Sequence, residues 1–328
     1  MLGLAATALL GLAAPIARSE PAPSACVETA RPDPSLPALA AEAQAFGFHD
    51  EELVLCSPGA PDGGQPTHLS ARLWVPAACP PRDGCPGVLV VHGLGGTKET
   101  VFADARDLAS RGLYVLAYDV RGQGQSGGQA DMMGRDTIAD EAHVLRWFHE
   151  HVGPTRTGVY GISQGGVHAL MAAVFNCGPA RAAALDSTIP CDAGGERWVD
   201  AIVPVQAPAR FEDIVVGDGT CSQFMLTAAA QTRLQPDVTA SATRCLLDGT
   251  PLDQAVEAVD AAISDGGLDR DNGLRDYVSR VDRIDVPVYL GTSYFDGSCP
   301  PASRPTSTNV SERGPPTLTT PTPAPMCD

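Results

Sequence analysis

The sequence predicts an α/β fold, a mostly parallel twisted sheet with helices on both faces. Three observations predict it. Short apolar runs alternate with amphipathic stretches at the spacing of strand–helix–strand units. One such run ends in Val159-Tyr160-Gly161-Ile162-Ser163-Gln164-Gly165-Gly166, which reads as strand end, tight Gly-x-Ser-x-Gly turn and helix start. Residues 191–279 then break the alternation with helical stretches of their own, as an inserted lid would.

The elements follow in order. Residues 2–14 form an apolar run of the length of a signal-peptide core. A membrane span needs roughly 20 such residues, so no stable membrane insertion is expected. Residues 1–17 are therefore read as a secretory signal, and export to the periplasm, cell surface or medium is expected. A buried apolar helix is the plainer alternative. A lipobox ending at Cys26 is a third, although Pro23-Ser24-Ala25 fits it poorly. Residues 18–38 are rich in proline, alanine and serine and read as a linker.

The main folded domain is expected over 39–299. Residues 51–56 and 68–75 suggest an antiparallel strand pair, and Val88-Leu89-Val90-Val91 a buried strand. His92-Gly93-Leu94-Gly95-Gly96 reads as a tight loop. A helix is expected over 99–111 with Gly112 as its stop, then a strand over 113–118. A longer helix over 136–151 places Ile138, Ala142, Leu145, Trp147 and Phe148 on its apolar side. Residues 157–160 feed the serine turn, 165–175 form the helix after it, and 182–185 a further strand. Helical stretches at 227–232 and 252–264 fall in the lid, and 287–290 rejoin the sheet. From Pro300 onward proline, threonine and serine dominate with no apolar periodicity, so 300–328 reads as a disordered tail. A closing strand and helix are not found.

Composition narrows the function. The chain has 328 residues, an ordinary apolar fraction of 44% and a net charge of -17, which argues against a nucleic-acid partner. Aromatic residues make up 5% and form no stripe that would bind a polymer. The ten cysteines include no Cys-x-x-Cys pair and no zinc spacing with histidine, so no metal is expected. An even count behind a signal favours disulfides. Cys79 and Cys85 flank a turn-forming loop and are the best-supported pair, followed by Cys177 with Cys191 and Cys221 with Cys245. Buried free thiols are the alternative.

The chemistry centres on Ser163. A glycine-flanked bend at a strand end lifts the hydroxyl where a substrate carbonyl can reach it. The developing oxyanion needs two backbone N–H groups. Gln164, directly after the serine, should supply one, and Leu94 the other. The acid partner should follow a late strand, which makes Asp296 the best candidate and Asp186 the runner-up. The base is the gap. In this chain order it should follow the acid, yet no histidine occurs after His168. His168 lies five residues into the helix behind the serine and should point away from the hydroxyl. His92 reads as a loop residue, and His49, His68, His143, His149 and His151 as surface or packing residues.

Together Val91-His92-Gly93-Leu94-Gly95-Gly96-Thr97-Lys98, Tyr118-Asp119-Val120-Arg121-Gly122-Gln123-Gly124-Gln125-Ser126-Gly127-Gly128 and the serine turn resemble the Xaa-Pro dipeptidyl-peptidase and cocaine-esterase group of α/β-hydrolases. Trp198-Val199-Asp200-Ala201-Ile202-Val203-Pro204 resembles the segment that opens that group's lid. The likeness runs over roughly 86–298. It implies a secreted serine hydrolase of small ester or peptide substrates, working through an acyl-enzyme without metal or organic cofactor, with Ser163 as nucleophile and Asp296 as acid. The group's histidine, last strand and last helix have no matching positions, as if a frameshift or truncation near residue 300 had replaced the C-terminal end. A non-catalytic binding protein that keeps the fold is the competing reading.

Overall fold

A computed structural model describes residues 26–29, 45–60, 64–78, 84–175, 197–208, 231–234 and 278–291. Six strands form one sheet: β1 (Phe48–Ser57), β2 (Thr67–Pro76), β3 (Gly87–Val91), β4 (Tyr114–Tyr118), β5 (Thr157–Ile162) and β6 (Ala201–Val205). Their spatial order is β1-β2-β4-β3-β5-β6. The β1–β2 and β2–β4 pairs are antiparallel, and β3–β4, β3–β5 and β5–β6 are parallel. Among the described residues three α-helices accompany the sheet: α1 (Phe102–Ser110), α2 (Arg135–His151) and α3 (Gln164–Val174).

The side-chain period of two explains why helices cover both faces. All five residues of β4, Tyr-Val-Leu-Ala-Tyr, are buried. Tyr114, Leu116 and Tyr118 join Leu89, Val91 and Val159 in one core, closed by Val144, Leu145 and Phe148 of α2 and Ala169 and Ala173 of α3. Val115 and Ala117 point the other way, joining Trp74 and Val90 under Ala105 and Ala109 of α1. A strand buried on both sides has no polar alternation to show, and this is why β3 and β4 appear in the sequence as unbroken apolar runs.

Several boundaries differ from expectation. Helix α1 starts at Phe102 rather than 99, because Thr97 and Thr100 bond to each other: Thr100 N–H and Oγ1 donate to Thr97 O, and Thr97 N–H donates to Thr100 Oγ1. Strand β6 lies within the stretch read as the lid. Pro204 masks it, since proline has no N–H for a ladder, yet its carbonyl accepts from Gly291 N–H at 3.0 Å. Residues 287–291 do run parallel beside β6, with Tyr289 N–H donating to Ile202 O at 3.0 Å and bridges Ile202–Val288 and Val205–Gly291.

Residues 26–29, part of the stretch read as a linker, lie along β1. Thr29 N–H donates to Val54 O at 3.0 Å, and Thr29 Oγ1 accepts from Val54 N–H at 3.1 Å. Cys26 is disulfide-bonded to Cys56, so its sulfur is not free for a lipid. Cys85 is also disulfide-bonded, to a partner outside the described residues. Each of the three expected pairs has at least one cysteine there. The signal (1–17), the strand at 182–185, the lid helix at 252–264, Asp186, Asp296 and the tail at 300–328 also lie outside the described residues. Among those described, no helix is long and apolar enough to cross a membrane, and no cluster of histidine, cysteine and carboxylates could hold a metal.

Candidate active site

From β3 the chain runs through α1 to β4 on one side, and from β4 it returns through α2 to β5 on the other side of β3. The C-terminal ends of β3 and β5 therefore flank a topological switch point, where open α/β sheets bind ligands. Ser163 follows β5 there, at φ 56° and ψ -117°. A serine at positive φ carries about 1–3 kcal/mol of strain and persists only where its surroundings enforce it. Here Ser163 N–H donates to Val205 O at 2.8 Å, and Val167 N–H donates to Ser163 O at 3.0 Å as the first bond of α3. The flanking glycines are required sterically. A Cβ on Gly161 would sit 2.3 Å from Gly165 O, and one on Gly165 would sit 2.0 Å from Val91 O.

The loop after β3 passes beside this bend because Val91 is in register with Gly161. A Cβ on Gly93 would lie 3.7 Å from Ser163 Cβ. The loop is tightened by Gly96 N–H donating to Gly93 O at 2.9 Å. Gly95 N–H donates to Gln123 Oε1 at 2.8 Å, and Gln123 Nε2 donates to Gln164 Oε1 at 3.2 Å. Leu94 N–H and Gln164 N–H make no hydrogen bond among the described residues. Residues 231–234 pack on the same loops. Gln231 Oε1 occupies the space a Gly95 Cβ would take, and Arg233 N–H donates to Gly122 O at 2.8 Å while Ala130 N–H donates to Arg233 O at 2.6 Å. Neither Gln123 nor Gln231 was singled out from sequence. Gln123 could have been, since it stands inside the Asp119-x-Arg121-Gly122-x-Gly124-x-Ser126 pattern.

All seven histidines are among the described residues, and none is hydrogen-bonded to Ser163. His92 is fully buried. Val120 N–H donates to its Nε2 at 3.0 Å, which leaves the proton on Nδ1, 2.7 Å from Gly93 O. It thus staples the loop after β3 to the turn after β4. His168 is equally buried, with Nδ1 3.4 Å from Tyr118 Oη and 3.5 Å from Glu141 Oε1, in the core rather than at the sheet rim. His149 Nε2 donates to Trp198 O at 2.9 Å, and His151 Nδ1 to Trp147 O at 3.0 Å. His49 pairs with Glu51, and His68 donates to Gln125 O. Arg146 Nη2 donates to His143 Nδ1 at 2.9 Å.

These histidines shape the pH response. Burial pushes His92 down to about 4, against the pull of Gly93 O and Asp119. Burial and then Arg146 push His143 down to about 4. Below about 6.5 the unfolded chain gains protons that the native state refuses until about 4, so stability is lost as pH falls through that window. For the buried His92 the shift corresponds to about 3 kcal/mol. His143→Gln should flatten part of this acid limb while leaving stability at pH 7.5 nearly unchanged. Urea unfolding between pH 7.5 and 4.5 measures it, and an unaltered slope would exclude the assignment.

A second network frames the site from below. Arg121 Nε and Nη2 each donate to Asp140 at 2.8 Å, and Nη1 donates to Gln65 O at 2.8 Å. Asp136 lies 3.5 Å away and accepts from Ala60 N–H at 2.9 Å. Asp119 accepts from Lys98 N–H at 2.6 Å and from Gln125 N–H at 2.7 Å. The polar residues of the Asp-x-Arg-Gly-x-Gly-x-Ser pattern therefore hold turns in place around the rim.

A mostly parallel sheet with helices on both faces, a strained serine bend at its switch point and a glycine-rich loop beside that bend define an α/β-hydrolase. The sequence model of the X-Pro dipeptidyl-peptidase (S15) family matches residues 62–303, and the chain belongs to that family. No curated relative matches it. Among solved structures it is similar to the DcsB complex with its substrate analogue, at 20% identity over 50% of this chain and a TM-score of 0.35; it spans 47% of that chain's length. It is also similar to acetyl xylan esterase 1 from Thermoanaerobacterium sp. JW/SL YS485, at 14% identity over 75% of this chain and 77% of that one, with a TM-score of 0.44. A third is the inhibited esterase B from Lactobacillus rhamnosis, at 20% identity over 77% and 71%, with a TM-score of 0.42.

Proposed function

We propose that this chain is a secreted serine hydrolase of ester or peptide bonds, Xaa-Pro peptides among them, with weak turnover in this form. The observation that carries the reading is Ser163, held at positive φ on a bend between β5 and α3 with a glycine-rich loop beside it. In this reading Ser163 Oγ bonds the substrate carbonyl carbon while its proton passes to a base. Leu94 and Gln164 N–H take the oxyanion, the leaving group departs with a proton, and water then cleaves the acyl ester. Asp296 is proposed as the acid. Residues 287–291 run parallel to β6 and end at the same rim as Ser163, and Asp296 follows Gly291 closely in the sequence. Export is supported by the apolar run at 2–14 and the Cys26–Cys56 disulfide.

The engagement of all seven histidines elsewhere favours a second reading, a binding protein on a hydrolase fold. A fluorophosphonate separates the two. Serine oxygen bonds phosphorus, fluoride leaves, and the proton goes to whatever base is at hand. The hydrolase reading expects slow adduct formation on Ser163, none in Ser163→Ala, and about tenfold or more acceleration by dissolved imidazole, a general base supplied from solution. Mass spectrometry of the intact chain and its peptides reads the outcome. A folded protein that forms no adduct at Ser163, even with imidazole, is the binding protein.

A further inference from the structure

We propose that Gln123 is a positioning residue that sets the spacing of the two oxyanion donors; the inference rests on the hydrolase reading above. Its carboxamide bridges the two segments that carry them. Gly95, next to Leu94, donates its N–H to Gln123 Oε1 at 2.8 Å, and Gln123 Nε2 donates to Gln164 Oε1 at 3.2 Å. The direction of the bridge is fixed, because a backbone N–H only donates and the carboxamide nitrogen must then face Gln164. Gln123 is 1% exposed and Gln164 6%, so water competes little for either bond.

The bridge is itself anchored. Gln123 N–H donates to Val120 O at 2.9 Å, and Ser126 N–H donates to Gln123 O at 3.1 Å, so the residue sits in a closed turn. Asp119, Lys98 and Arg233 are charged groups packed against that turn; Arg233 Nη2 donates to Ser126 O, and all three bond to backbone and side chains around Gln123 rather than to its carboxamide. Without the bridge, the loop carrying Leu94 and the helix starting at Gln164 lose the hydrogen-bonded link between them and are left with the backbone contacts of Gly165 against Val91 and His92. Oxyanion donors act only at the right distance from the developing charge, and a misplacement of about 1 Å lowers rates about 100-fold.

The test uses the full chain, a fluorophosphonate whose P=O takes the oxyanion position, and dissolved imidazole. Gln123→Met keeps the volume and removes both bonds. It should lower the maximal labelling rate about 10–100-fold, leave the half-saturating probe concentration within about twofold, and speed hydrogen exchange at Gly95 N–H. A residue that merely packed would change folding and leave the maximal rate of folded protein intact. Gln123→Glu covers the case in which the methionine variant does not fold. It still accepts from Gly95 but sets a carboxylate oxygen against Gln164 Oε1 and negative charge near the oxyanion, so Gly95 stays protected while labelling slows by at least as much. Wild-type labelling matched within twofold by either folded variant overturns the inference alone. A wild-type chain that takes up no probe overturns the hydrolase reading and this inference together.

Discussion

Gly165→Ala is expected to destabilise the protein by upwards of about 3 kcal/mol and to abolish Ser163 labelling. Helix propensity alone predicts the opposite sign, since alanine is favoured over glycine within a helix by about 1 kcal/mol. Contact decides the matter. The added carbon would stand 2.0 Å from Val91 O, 2.7 Å from Val91 C and 3.0 Å from His92 O, all backbone atoms with no rotamer to retreat into. Either α3 lifts off β3 or the strand bends, and both move the serine away from the loop beside it. Gly112→Ala is the control. Gly112 has a φ of 91° with nothing within 4 Å of the added carbon, so only backbone strain of about 1–2 kcal/mol applies. Urea unfolding of both variants checks the ranking, and equal losses would remove the claim that α3 and β3 touch too closely for a methyl group.

Arg121→Met is expected to cost about 3–5 kcal/mol at pH 7.5, because it leaves the Asp140 carboxylate buried without its cation. The pH dependence separates this from lost packing. In the native protein burial pushes Asp140 up to about 6, against the downward pull of Arg121 and Ser57. A carboxyl raised above its unfolded value near 3.8 stabilises the fold when protonated, and that contribution is lost as pH rises through the native pKa. Removing Arg121 removes the strongest downward pull, so the carboxyl of the variant protonates at higher pH still. The deficit relative to wild type should therefore be larger at pH 7.5 than at pH 5. Stability curves at the two pH values measure it. Deficits of equal size would assign the loss to the missing guanidinium's packing instead.

The fold was legible wherever burial left an unmixed signal. β3 and β4 announce themselves because strands covered on both faces need no polar residues. The serine bend was legible because its glycines are demanded by contacts close along the chain, such as Gly161 against Gly165. β6 was hidden because Pro204 reads as a breaker and its neighbours alternate between buried and half-exposed. The role of Gln123 was hidden for a different reason. Its partners stand 28 and 41 residues away, and no local pattern announces a bond over that distance. The histidines show the same limit from the other side. Chain order alone suggested that none served as base, but only tertiary partners such as Val120 for His92 and Glu141 for His168 reveal what occupies each ring.

The short stretch at 231–234 has a wider meaning. It grips the turn that bears Gln123 through Gly122 and Ala130, while Gln231 lies across Gly95. This stretch is thus not an accessory that could be excised to leave those loops as they stand. Trimming it would strip the upper support from the very peptide groups expected to face a reacting carbonyl, so a minimal version of this protein must retain it.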